Sequence, residues 1–395
     1  MTSIIRTLSD FCAAEHDWLV ETIETLVRLE SPTTDKAAVD RCGGELQARL
    51  ERIGGRVARL PQRERGDHLR AEFTPARPAK VSRSILLLGH FDTVWPVGQI
   101  ERMPLERRGG RLHGPGVYDM KAGVGIAMLA VRALMETGAG ISHRIVMLWT
   151  TDEEVGSGTS REAIEAEARR SDAVLVLEPS LPGGAVKTAR KGCAGFEVTV
   201  HGVSAHAGIE PQKGASAVEE LAHQIPRINA MQDLERGVNV NVVQAWGGAR
   251  ANVIPDEAHA LVDVRVPDVP AWERVRRAFA DLVPVDSRTR IEARGWFDRP
   301  PLERTAAVAR LYDQARGVAR DLGADLGEGG TGGGSDGNFT AALGVPTLDG
   351  LGAVGDGAHA LHEHVEIGAL PGRAALVAGL ILKVSAPGGA EPSHA

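Results

Sequence analysis

The chain is 395 residues long, 43% apolar and 25% charged, with a net charge of −7; this describes a soluble globular protein too long for one ordinary core, so two domains are expected. The acidic balance argues against nucleic acid or an anionic membrane as partner. Cys12, Cys42 and Cys193 are odd in number and far apart, which implies no disulfide framework and allows a reducing compartment.

The opening stretch, MTSIIRTLSDFCAAEHDWLV, lacks a basic start followed by a long apolar run. No later segment reads as long and apolar enough to span a bilayer, so a cytoplasmic protein is expected. Apolar residues at helical spacing predict helices from about Glu15 to Leu29 and from Lys36 to Ile53. SILLLG (Ser84 to Gly89) is a short continuous apolar run, the mark of a strand buried on both faces. A helix rich in Ala, Met and Leu follows from Ala122 to Met135, then a strand from Arg144 to Thr150, a helix from Arg161 to Arg169 and a strand from Ala173 to Leu177. Strand alternating with helix predicts an α/β fold whose mostly parallel sheet is sandwiched by helices. In such sheets functional groups collect beyond the carboxyl ends of the strands.

From about Lys191 the texture changes. Phe196 to His201 alternates as a half-exposed strand, followed by a helix from Ala215 to Ile228 and strands from Asn239 to Ala245 and Ala258 to Val266. A helix from Ala271 to Leu282 and a strand from Arg290 to Gly295 complete a β-α-β-β-α-β order, which predicts an inserted α+β domain with an antiparallel, ferredoxin-like sheet. After Pro300-Pro301 the buried pattern resumes, with a helix from Thr305 to Leu322 and a short strand from Val345 to Leu348. Residues 1–188 and 302–386 are therefore expected to form one discontinuous domain around an insert, 189–301. The small polar end, 387–395, reads as a disordered tail.

Five segments set an Asp, Glu or His at the end of an apolar run or just past it: GHFDTV (from Gly89), GPGVYDMKAG (from Gly114), TTDEEVGS (from Thr150), LEPS (from Leu177) and GAHALHEHVEI (from Gly357). Chains keep carboxylates out of such places unless something positive meets them, and two metal ions would do so. Each segment also has a plainer reading. His90 and Asp92 could be a surface pair, Asp119 a helix N-cap, and Glu178 an ordinary loop residue. Asp152, Glu153 and Glu154 are harder to dismiss, because three adjacent carboxylates repel and a dication is the simplest relief; the alternative is an acidic helix N-terminus. His359, His362 and His364 could be a surface cluster.

As an ordered set these motifs resemble the co-catalytic zinc aminoacylase and carboxypeptidase family, and within it the glutamate carboxypeptidases. VHGVSAHAG (from Val200) and TGGGSDG (from Thr331) extend the resemblance across nearly the whole chain. It implies two zinc ions per subunit, with Co2+ or Mn2+ as substitutes. His90, Asp119 and Glu178 would hold one ion, Asp119, Glu154 and His359 the other, with Asp119 bridging. Asp92 would orient His90, and Glu153 would be the general base on the attacking water. Among His359, His362 and His364, His359 fits the family pattern best, with His362 as fallback. The resemblance further implies that His206 helps stabilise the oxyanion across a homodimer interface formed by the insert, and that Arg265 and Asn252 face a substrate carboxylate, a task suited to the planar fork of arginine. The N–H groups of the glycine-rich loop, with Gly333, Gly334 and Ser335, could cradle an anion. Lys191 suggests no mechanism.

These readings predict hydrolysis of an amide bond in a small N-acyl amino acid or peptide, releasing a C-terminal amino acid, glutamate being the first candidate. A broader aminoacylase or dipeptidase is the second candidate. A non-catalytic binding protein is the third, and Glu153 argues against it because binding alone has no use for a base.

Overall fold

The computed structural model describes residues 2–75 and 83–386. The chain divides into two compact units, the first running to Ala189 and resuming over Arg304–Gly330 and from Ser335, the second comprising Arg190–Glu303 and Thr331–Gly334. The loop Thr331–Gly334 thus groups with the second unit, whereas the sequence pattern assigned all of 302–386 to the first. The expected tail, 387–395, lies outside the described residues.

In the first unit a six-stranded sheet runs in the order Arg56–Leu60, His68–Phe73, Arg144–Thr150, Ser84–His90, Ser171–Val176, Thr347–Leu348. The last four strands are mutually parallel, and the first two add an antiparallel margin. Period-2 alternation explains why the central strands are apolar throughout. Ile85, Leu87, Met147, Trp149, Ala173 and Leu175 join the large core formed with helices His16–Arg28, Ala122–Glu136 and Leu370–Val384. Their neighbours Leu86, Leu88, Val146, Leu148, Val174 and Val176 pack on the other face against Ile164, Ala168 and Phe339. Every residue of Ser84–His90 is buried.

Several elements are absent from the sequence pattern: the first helix Thr2–Ala14, the strands Arg56–Leu60 and His68–Phe73, and the final helix Leu370–Val384. One expectation is corrected. Residues Ile367–Val384 are long and apolar enough to cross a bilayer by length and composition. They are apolar because the helix from Leu370 is buried in the core, even to Arg373, whose guanidinium donates to Gly184 O, Gly350 O and Gly352 O at 2.6–2.8 Å.

Gly123 lies in the first turn of the helix Ala122–Glu136, and a Cβ there would lie 2.0 Å from the carbonyl oxygen of Leu177, just past the strand Ser171–Val176. Backbone must shift to admit it. Gly123→Ala is therefore expected to destabilise the first unit by about 1–3 kcal/mol, measurable as a lower thermal midpoint. Leu177 precedes Glu178, so if Glu178 is a ligand as the resemblance implies, weaker metal binding should accompany the change.

The second unit is a β-α-β-β-α-β arrangement with strands in the order Asn239–Gly247, Glu257–Val266, Gly192–His201, Arg290–Arg299, every neighbouring pair antiparallel. Phe196, Val198, Val200, Ala260, Val262 and Val264 form its inner face and pack with Leu221 and Ile228 of one helix and Trp272, Val275 and Phe279 of the other. Ser216 and Asp268 cap those helices, each accepting from a backbone N–H three residues on.

Candidate metal centre

Strand register sets the candidate residues level. His90 pairs with Thr150, and Leu88 with Val176, so three adjacent parallel strands end together. Asp92 lies two residues past the first end, Glu153 and Glu154 open a single helical turn past the second, and Glu178 lies two residues past the third. Asp119 sits in the turn Val117–Lys121 with extended backbone (φ −112°, ψ 96°), and its peptide bond to Met120 is cis. The following helix begins after Lys121, so Asp119 is not its N-cap. His359 has left-handed backbone, φ 60°, uncommon outside glycine.

Asp119 lies between two histidines. Its Oδ1 is 3.3 Å from His90 Nε2 and its Oδ2 is 3.5 Å from His359 Nε2. Glu178 Oε1 lies 3.5 Å from His90 Nε2, and Glu154 Oε2 lies 3.1 Å from His359 Nε2. Most of these separations exceed a good hydrogen bond, and they cluster near the edge of a tetrahedron of ligands about 2.0–2.1 Å from a shared ion, roughly 3.3 Å. One ligand atom from each of His90, Asp119 and Glu154 can be chosen so that all lie within 4.8 Å of one another. Asp119 Oδ1 and Glu154 Oε1 are buried without a hydrogen-bond partner, a costly arrangement that a cation would relieve. The residues fit a pair of divalent ions.

The electrostatics agree. Asp119 and Glu154 hold His359 protonated up to about 10 in the metal-free chain. Burial pulls His90 down, but Asp119, Asp92 and Glu178 together raise it well above the usual imidazole range. Burial pushes Asp119 up, and His359 and His90 more than reverse that, leaving it below the ordinary carboxylate range. Burial wins at Glu154, which is raised. The two histidines supply the positive charge that metals would bring.

Asp92 is fully buried, with Oδ1 3.4 Å from His90 Nδ1, while its carbonyl lies 3.1 Å from the same nitrogen. Both are acceptors, which puts the imidazole proton on Nδ1 and leaves the Nε2 lone pair for a metal. Thr33 Oγ1 donates to Asp92 Oδ2 at 2.7 Å. Glu153 is half-buried beside Glu154. Of His359, His362 and His364 only His359 faces this cluster; His362 Nε2 lies 3.9 Å from Asp356, and the His364 ring packs beside that of His113, 5.2 Å between centroids.

The remaining candidates, Ser335 apart, belong to the second unit. His206 is exposed in the second unit on a two-residue strand paired with Val253–Ile254, and the carbonyl of Asn252 accepts from Ala207 N–H at 3.0 Å, so those two residues are neighbours. Arg265 donates to Asp263 at 2.9–3.1 Å and to Cys193 Sγ at 2.6 Å. The carbonyls of Gly333 and Gly334 accept from Arg190 at 3.1 and 3.0 Å. Lys191 Nζ donates to Asn239 Oδ1 at 2.6 Å. Ser335 is fully buried in the first unit, its Oγ donating to Asp349 Oδ2 at 2.6 Å and accepting from Gly337 N–H, while its own N–H donates to Asn338 Oδ1 at 2.9 Å.

Two buried carboxylates escaped the sequence reading. Asp336 accepts from Thr150 Oγ1 at 3.0 Å and from Ser157 Oγ, spanning the turn that carries Glu153 and Glu154. Glu363 accepts four N–H groups around Asp119, while burial pushes its carboxyl up to about 7. The only sequence signals were an Asp after TGGGS and a Glu four residues beyond His359.

Imidazole and carboxylate pairs meeting on one shared aspartate, at the carboxyl ends of a mostly parallel sheet, define a metal-dependent hydrolase. The chain belongs to peptidase family M20/M25/M40, whose model matches residues 86–383, and it is a metal-dependent peptidase. It is 30% identical to carboxypeptidase G2 of Pseudomonas sp. (strain RS-16) over 94% of this chain and 90% of that protein. It is 26% identical to a succinyl-diaminopimelate desuccinylase of Variovorax paradoxus (strain S110), over 87% of this chain and 92% of the relative. Bacillus subtilis YXEP, a dinuclear metal-binding peptidase of the M20 family, superposes with a TM-score of 0.69 at 16% identity, covering 94% of this chain and 99% of its own.

Proposed function

We propose that this peptidase uses two zinc ions per subunit to cut an amide bond next to a free carboxylate, releasing a C-terminal amino acid, glutamate first among candidates, from an N-acyl or folate-like substrate. The observation that carries the reading is Asp119, with one carboxylate oxygen towards His90 and the other towards His359. His90, Asp119 and Glu178 would hold one ion and Asp119, Glu154 and His359 the other. When bound, the ions supply Lewis acidity and lower the pKa of water towards ~7.

Glu153 takes the proton of the attacking water and passes it to the leaving amine. Asp92 holds His90 in the tautomer that presents Nε2. His206 Nδ1 accepts from Gly208 N–H at 3.1 Å, which puts its proton on Nε2, the form that donates to a developing oxyanion. In this proposal a homodimer formed through the second unit brings that donor to the reaction, and Arg265, Asn252, Gly333 and Gly334 contact the substrate.

A second reading, a broader N-acyl-amino-acid amidohydrolase or dipeptidase, is favoured by the desuccinylase relative. It is favoured too by Asp263, which already engages Arg265. A panel of acyl-glutamates, folates, N-succinyl diamino acids and dipeptides, assayed with zinc-loaded protein, separates the two. The first reading expects kcat/KM for acyl-glutamates at least ~10-fold above the rest. Broad release of neutral amino acids would support the second, and no hydrolysis of any substrate would point to a binding protein.

A further inference from the structure

Glu363 is 1% exposed, and both of its oxygens are doubly occupied. Oε1 accepts from Tyr118 N–H at 2.9 Å and Asp119 N–H at 3.0 Å; Oε2 accepts from Gly116 N–H at 2.9 Å and Trp95 Nε1–H at 2.8 Å. Each donor belongs to a segment that carries a candidate ligand. Trp95 follows His90 and Asp92 by a few residues, residues 116–119 end on Asp119, and Glu363 itself lies four residues after His359. One carboxylate therefore ties together three of the chain segments that meet at the metal centre.

We infer that Glu363 is a positioning residue of the metal centre, fixing the backbone of Asp119 so that its two oxygens reach both ions. The inference rests on the metal-binding role proposed for Asp119. A bridging ligand needs this more than a terminal one, since a small rotation of its backbone improves one contact only by spoiling the other, and such sites tolerate displacements of only about 0.5 Å. Asp119 has no regular structure of its own to hold it: the residue is extended inside an irregular turn, and Gly116 before it has φ +70°. Glu363 supplies what the missing ladder does not. A carboxylate is required rather than an amide, because four N–H donors converge on it. Glutamine has one oxygen, so its NH2 group would confront two of those donors.

The test uses the full-length protein as wild type, Glu363→Gln and Trp95→Phe. Each is stripped of metal and titrated with Zn2+ against a chelating indicator. Thermal midpoints of the metal-free forms, kcat and KM, and the visible absorption of the Co2+-loaded forms are also recorded. Glu363→Gln is expected to weaken Zn2+ binding by about 10–100-fold, lower kcat with little change in KM, and shift the Co2+ spectrum. Trp95→Phe removes one donor of the four and should weaken Zn2+ binding several-fold while folding normally. Wild-type affinity and an unshifted Co2+ spectrum in Glu363→Gln would overturn the inference. So would lower thermal midpoints with unchanged Zn2+ affinity, the result a purely structural carboxylate gives. If Glu363→Gln does not fold, Trp95→Phe decides, and unchanged affinity there overturns it. Failure of the wild type to bind Zn2+ would instead sink the metal-binding reading itself.

Discussion

Glu153→Ala is expected to lower kcat by about 10²–10⁴-fold, the usual worth of a general acid–base group, while two metal ions stay bound and the fold is kept. The separation between loss of rate and retention of metal follows from the division of labour in the acidic turn. Glu154 points at His359, 3.1 Å from its Nε2, and is the carboxylate that would hold an ion. The turn is secured by contacts of other residues: Thr150 and Ser157 donate to Asp336, and Thr159 N–H and Oγ1 donate to Asp152 Oδ2 at 2.6 and 2.7 Å. Truncating Glu153 should therefore leave Glu154 in place. Metal content by atomic absorption and steady-state rates on the same preparation check this. Near-normal rates would show that another group moves the proton, and loss of an ion would make Glu153 a ligand.

What could be read of the site in advance was its inner layer. His90, Glu154 and Glu178 were visible because each interrupts or follows an apolar run, and burial of a charge after such a run needs a reason. Glu363 follows the opposite logic. It lies in a polar stretch of histidines and acids that reads as surface, and only the folded chain shows it 1% exposed and surrounded by N–H donors. Asp336 is hidden by its glycine neighbours for the same reason. Groups that satisfy backbone donors distant in sequence leave no periodic trace. Ser335 shows the converse: a glycine-rich loop suggests open N–H groups, yet the N–H of its last residue is held by Asn338 Oδ1 at 2.9 Å and its hydroxyl by Asp349.

The fold was legible where pattern and burial coincide. Ser84–His90 and Arg144–Thr150 are buried along nearly their whole length, and a continuous apolar run too short for a helix, set between helical segments, fits a strand covered on both faces. The alternation in Glu257–Val266 likewise reports one face on a core and one away from it. The strand Arg56–Leu60 escaped because its side chains are largely exposed and three of its five residues are Arg or Leu at no decisive period. Leu370–Val384 escaped for the opposite reason: apolar nearly all round, it carries no amphipathic stripe to count.

Asp119→Ala should have the severest effect on the proposed centre, because in that arrangement Asp119 would serve both ions. Two dications set against Asp119, Glu154 and Glu178 would leave one positive charge; without Asp119 the excess would double, with no carboxylate to be shared between the proposed ions. Zinc content is expected to fall from two ions to at most one, with affinity lost beyond the roughly 10–100-fold typical of an outer-shell partner, and with no measurable turnover. Asp119→Asn keeps an oxygen but not the charge, so it should hold the first ion more weakly than wild type and the second hardly at all. The pair of variants separates charge from shape at Asp119, as Glu153→Ala separates metal binding from catalysis in the acidic turn. Two tightly held zinc ions in Asp119→Ala would mean that His90 and His359 are bridged by some other group, and the arrangement proposed for the centre would have to be abandoned.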